Sequence, residues 1–75
     1  MNKSVNTSKP VFFHDDRSKD LSVWRLSSVL FEDKNICLCV AKSGRSREKV
    51  LFSRHNGEVL SINFEFWYAT NKMPV

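Results

Sequence analysis

The sequence predicts an all-β fold, a small antiparallel β-meander of three to four strands with a flexible N-terminal arm. Three observations carry this expectation. From Leu21 onward, four apolar runs alternate with turn-forming stretches at intervals of about 11 to 13 residues, the rhythm of a meander. Asn56-Gly57 lies between two runs rich in Val, Ile and Phe, and that dipeptide is the strongest short-range hairpin signal. The longest uninterrupted apolar stretch, Ile36 to Ala41, is six residues, far short of the roughly 20 that a membrane-spanning helix needs.

Residues 1 to 20 mix Asn, Ser, Thr, Lys and Asp around one apolar island, Val11-Phe12-Phe13. With no periodicity, this stretch reads as a flexible polar arm able to dock through its two phenylalanines. His14-Asp15-Asp16 reads as a solvated turn rather than a metal or acid–base site. The domain proper is expected over residues 21–70, with a short tail at 71–75.

The first run covers about Val23 to Phe31. Trp24, Leu26 and Leu30 alternate as in a strand, interrupted by Ser28. The alternative is an α+β fold with a helix at about 20–31, because Leu21, Trp24 and Phe31 are helix-spaced and Ser18 or Asp20 could cap it. Serines and β-branched valines weaken a helix, so strand is favoured. After Glu32-Asp33-Lys34-Asn35 comes a second run, Ile36 to Ala41, ending at Ser43-Gly44-Arg45-Ser46. A third, Arg47 to Ser53, is closed by His55-Asn56-Gly57, and the last extends from Val59 to about Tyr68.

For the final hairpin, a three-residue loop with Gly57 left-handed sets Arg54 opposite Glu58, Phe52 opposite Leu60 and Val50 opposite Ile62. That register gathers Val50, Phe52, Leu60, Ile62, Phe64 and Phe66 on one face, with Arg47 opposite Glu65 and Lys49 opposite Asn63 on the other. A two-residue loop would slip the pairing by one and mix the faces. At Gly57, Asn is expected to substitute more readily than Val, because Asn tolerates a left-handed backbone.

Charge is the most uneven property of the chain. Of 75 residues, 12 are Lys or Arg and 8 are Asp or Glu, a formal charge of +4. Residues 42–54 carry Lys42, Arg45, Arg47, Lys49 and Arg54 against Glu48 alone, so this one segment holds the whole excess. A turn bearing Lys42, Ser43, Arg45, Ser46 and Arg47 suits phosphate contact, since long cations reach separate phosphates, glycine lets the backbone approach, and serines add neutral donors. A two-stranded ribbon can also enter a major groove. The competing explanations are an acidic protein surface as partner, or a charged strand edge that discourages aggregation.

The last run ends Phe64-Glu65-Phe66-Trp67-Tyr68, with aromatics on both faces. Phe64, Phe66, Trp67 and Tyr68 are therefore the candidate interface, for a protein partner or for a second copy in a homodimer. Trp67 is expected on the face away from the core unless Trp24 or the arm covers it.

Other chemistry is sparse. Cys37 and Cys39 are placed at i and i+2 on a strand, a poor geometry for a disulfide, and read as small half-buried hydrophobes in a reducing cytoplasm. With only His14 and His55 to join them, no metal site is expected. Two glycines in total exclude dinucleotide and P-loop fingerprints, so no cofactor is expected. Cys37 or Cys39 with His55 would lack an orienting third group, and no enzymatic activity is expected. Residues 1 to 10 have no apolar core of the kind a signal peptide carries, which suggests a cytoplasmic protein without membrane association. In size and charge the chain is similar to the small accessory proteins of phages and plasmids, a similarity of bulk properties rather than of motif. The function expected is non-enzymatic binding of nucleic acid, DNA or RNA, through the basic hairpin. The alternative is a protein inhibitor or adaptor docking through its aromatic strand and sheet edge.

Overall fold

A computed structural model describes residues 4–15, 24–61 and 67–72. Among the described residues, five strands, β1 (Phe12–Asp15), β2 (Trp24–Glu32), β3 (Ile36–Ser43), β4 (Ser46–Ser53) and β5 (Trp67–Thr70), form one antiparallel sheet in the order β4-β3-β2-β1-β5. The fold is all-β, and residues 24–31 are strand rather than helix; residues 20–23 lie outside the described residues. No helix among the described residues is long and apolar enough to cross a membrane.

The strand count exceeds the expected three to four because the apolar island enters the sheet. Phe12 and Phe13 pair with Arg25 and Trp24 on one side and with Thr70 and Ala69 on the other. Val11 and Phe13, two residues apart, both turn into the core. Further upstream, Val5 is buried and donates its N–H to the Arg54 carbonyl at 2.8 Å. The Asn71 side chain accepts from the Asn6 N–H at 2.7 Å and donates to the carbonyls of Asn6 and Pro10 at 2.8 and 2.9 Å. Residues 4–15, expected within an independent arm, are thus part of the fold, and Asn71 of the expected tail ties them down.

The sheet curls until its ends meet. Phe52 bridges Val59, and Glu58 bridges Tyr68, so residues 57–60 lie between β4 and β5. The Leu60 N–H donates to the Leu51 carbonyl at 2.7 Å and the Ala69 N–H to the Gly57 carbonyl at 2.6 Å. These contacts cover the edge of β4 from Leu51 to Ser53, which shortens the open edge that invites aggregation.

This closure overturns the expected final register. Phe52 faces Val59, not Leu60; the loop is Arg54–Gly57, four residues, with the Ser53 N–H donating to the Glu58 carbonyl at 2.8 Å. A one-residue slip exchanges the faces: Val59 is buried and Leu60 is 49% exposed. Nor is Val59 to Tyr68 one strand, because residues 58 and 68 are antiparallel neighbours. The parity of the aromatics changes with it. Trp67 packs against the core, and Tyr68 lies over His14 with ring centroids 4.0 Å apart. The expected pairings with Ile62, Asn63 and Glu65 fall outside the described residues.

The core is built mostly from small side chains: Val5, Val11, Cys37, Cys39, Ala41, Val50, Val59 and Ala69 around Phe13 and Phe52. The two phenylalanine rings meet edge to face, 5.5 Å between centroids at 70°, a favourable quadrupolar arrangement. Trp24 and Trp67 meet edge to face at 6.5 Å and cover one side. At one end, the Asp33 carboxylate accepts the N–H groups of Asn35 and Ile36 at 2.7 and 2.9 Å. The Ile36 N–H first, and the Asn35 N–H second, hold its carboxyl below the usual carboxylate range.

Cys37 and Cys39 are fully buried, more so than expected, and both are free thiols. Burial raises both pKa values, that of Cys39 to about 12. The folded chain therefore holds protons that the unfolded chain gives up above pH 9 or so, and stability falls as pH rises through this range. Neither thiol should react with iodoacetamide in native buffer at neutral pH, and both should react in denaturant. Alkylation of the native protein at the denatured rate would contradict this packing.

Gly44 and Gly57 both have positive φ, 60° and 78°. They differ in surroundings: Gly44 has open space, whereas a Cβ on Gly57 would overlap the Ala69 carbonyl oxygen. The expected tolerance of Asn at Gly57 is therefore revised. Gly57→Asn and Gly57→Ala should each cost well over the ~1 kcal/mol of a left-handed backbone, while Gly44→Asn should melt near the parent. Thermal melts of the three variants decide it; a parent-like Gly57→Asn would refute the close approach.

Candidate nucleic-acid interface

The β3–β4 hairpin is closed by a two-residue turn, Gly44-Arg45, with Ser43 opposite Ser46. Positive φ at the first turn residue alone fits a II′ turn, whose twist matches the flanking strands. The ladder then continues with Lys42 opposite Arg47, Ala41 opposite Glu48, and Val40 opposite Lys49. Side chains alternate along a strand, so Lys42, Arg47 and Lys49 share the outer face of the sheet. Ala41, Val50 and Phe52 take the inner one and are buried. Glu48, next to Arg47 in sequence, projects from the inner-face side and does not stand in the row of cations.

On the other side of β3, Lys42 is opposite Arg25 of β2. Arg25, Lys42 and Arg47 therefore form a row across three adjacent strands, all exposed, with Lys49 one step along β4 and Arg45 at the turn. None of the five forms an ion pair with another described residue; the ion pair among the described residues is Arg54 with Glu32 at 3.7 Å. Like charges directly opposite one another destabilise a sheet, so the row works against folding.

Of the sequence-selected residues, Lys42, Ser43, Arg45, Ser46, Arg47 and Lys49 come together at this end of the sheet, with Ser43 half-buried and the other five exposed. Arg54 does not join them. It sits at the far end of β4, half-buried, where its Nη1 donates to the Asp33 carbonyl at 2.6 Å beside Glu32, whose carboxylate also accepts from Thr7 Oγ1 at 2.6 Å. Arg25 is the residue that sequence reasoning missed. It stands in a run otherwise read for its apolar spacing, and only the β2–β3 pairing brings it beside the hairpin.

Two of the four candidate interface aromatics, Trp67 and Tyr68, are among the described residues. Trp67 is half-buried, edge to face with Trp24, and Tyr68 is half-buried against His14; Phe64 and Phe66 lie outside the described residues. Among the described residues, no three His, Cys, Asp or Glu side chains are grouped to hold a metal ion. His55 is 20 residues in sequence from Asn35, whose Oδ1 is 2.9 Å from its Nε2, and it serves that end of the barrel rather than either thiol. No protein-family model matches the chain, and no curated protein or solved structure does so either.

Proposed function

We propose that this chain is a small non-enzymatic binding domain that holds nucleic acid by its phosphates on the outer face of β2, β3 and β4. The observation that carries the reading is the Arg25–Lys42–Arg47 row, three cations set directly opposite one another without a counter-charge among the described residues. A sheet gains nothing from that arrangement on its own. A polyanion offers the missing charges at close spacing and releases its condensed counterions on binding. Arg45 and Lys49 extend the cationic line, and the Ser46 hydroxyl at the tip adds a neutral donor suited to phosphate oxygens.

The raised thiol pKa values support a binding role over a nucleophilic one, because a thiolate is the reactive form and these cysteines keep their protons at neutral pH. Changing Arg25, Lys42 and Arg47 together to Ala should weaken binding of a labelled oligonucleotide. It should also lower the slope of log K against log salt by about one unit per lost contact. Lys34→Ala, in the turn at the opposite end, serves as the control and should leave the slope unchanged. Fluorescence anisotropy across about 50 to 200 mM salt reads both quantities. A triple variant with parental affinity and slope would refute the proposal.

A further inference from the structure

The basic row occupies one end of the outer face; the other end is apolar. Leu30 and Phe31 are 52% and 55% exposed, with Phe31 on the outer side opposite Leu38; Val29 before them, opposite Cys39 on the inner side, is 38% exposed at the margin. Three exposed apolar residues in sequence are an error in a folding sequence unless they serve a function. Two register shifts in the β2–β3 ladder, between Leu26 and Ser28 and between Val29 and Phe31, produce this exposure. The second makes Leu30 an extra residue against Leu38, and such bulges re-aim side chains beside functional sites. Phe31 faces Leu38, and Leu38 in turn faces Leu51.

Leu38, Val40 and Lys42 lie on one face of β3. The apolar end and the basic row are therefore about 13 Å apart along the strand, four residues at ~3.3 Å each. Nothing charged on β3 separates them, since Val40 is the residue between.

We infer that the nucleic acid taken by this face is single-stranded, its phosphates on Arg25, Lys42 and Arg47 and an unstacked base against Phe31, flanked by Leu30 and Leu38. The inference rests on the phosphate-binding reading above and names its substrate class. A duplex keeps its base faces stacked inside and presents phosphates outward, so Leu30 and Phe31 would meet charge and water. A single strand has free base faces, and any base can stack on an aromatic ring. Cations flanked by an exposed aromatic are the pairing that single-strand binders use, with phosphates and bases each finding their own surface. An acidic peptide with apolar side chains is the competing occupant. The high local charge, four cations on one face and Arg45 at the adjoining turn, favours the polymer with a charge on every unit.

The test measures anisotropy of labelled oligo(dT), oligo(U) and a mixed-sequence duplex of equal length with the full chain, its Phe31→Ala variant and its Phe31→Trp variant. Phe31 is exposed, so neither change should disturb the core, and circular dichroism and melting temperature verify this. The expected result is tighter binding of at least one single strand than of the duplex. Phe31→Ala should weaken that binding about five- to a hundredfold with an unchanged salt slope, and Phe31→Trp should restore it. Equal binding of duplex and single strand, insensitive to Phe31 but still salt-dependent, overturns this inference and leaves the phosphate-binding reading standing. No salt-dependent binding to any of the three overturns both. Phe31-dependent capture of a Leu- and Glu-rich peptide in that case would assign the face to protein.

Discussion

The fold depends on how closely the chain can approach itself at Gly57. Its N–H donates to the Ser53 carbonyl at 2.9 Å while its carbonyl accepts from Ala69, so one residue serves both β4 and β5. Its φ is 78°, and the space a Cβ would need is taken by the Ala69 carbonyl. Because no side chain intervenes, residues 57–60 fit between the two ends of the sheet and close it. That closure decides which side of each strand is inside. It buries Val59 against Phe52, leaves Leu60 out, and gives the small core its boundary.

Closure also explains how a core made largely of Val, Ala and Cys suffices. Curling brings the inner faces of all five strands onto Phe13 and Phe52, with Trp24, Leu26 and Trp67 packed at the margin. A chain of this size has only a few kcal/mol of net stability, about 0.05–0.15 kcal/mol per residue. Against that margin, opposed cations on the outer face and an exposed Leu30-Phe31 pair are appreciable costs. The cations gather at the Gly44-Arg45 turn end of β3 and β4, whereas β4 meets residues 58–60 at its other end, from Leu51 to Ser53. The basic row and the closing contacts thus occupy opposite ends of β4.

The sequence revealed what depends on local chemistry. Alternating runs and turn residues mark β2, β3 and β4, Asn56-Gly57 implies a left-handed glycine, and charge alone marks the basic hairpin. What it could not reveal depends on pairing at a distance. A three-residue loop segregates Leu60, Phe64 and Phe66 with Phe52 in the sequence, an argument that holds only for an isolated hairpin. With β5 pairing the far side of residues 57–60, two ladders fix the side that Val59 takes. Val11-Phe12-Phe13 carries no strand signal in the sequence because three apolar residues in a polar stretch show no period. Arg25 joined the basic row only through its position opposite Lys42, and the two shifts in the β2–β3 ladder hid the outward turn of Phe31 behind an apparent alternation of Trp24, Leu26 and Leu30.

The central claim is that the sheet closes through residues 57–60 with Val59 turned inward. Hydrogen bonds flank the pairs Phe52–Val59 and Glu58–Tyr68 rather than joining them, as 53 to 58, 60 to 51, 59 to 67 and 69 to 57. In such non-hydrogen-bonded pairs the backbones approach most closely, about 4.5 Å between Cα atoms. A nuclear Overhauser spectrum of the full chain should therefore show strong Hα–Hα contacts for Phe52 with Val59 and for Glu58 with Tyr68. A strong Phe52–Leu60 contact in their place, with none between Glu58 and Tyr68, would mean an open hairpin and would contradict the closed sheet.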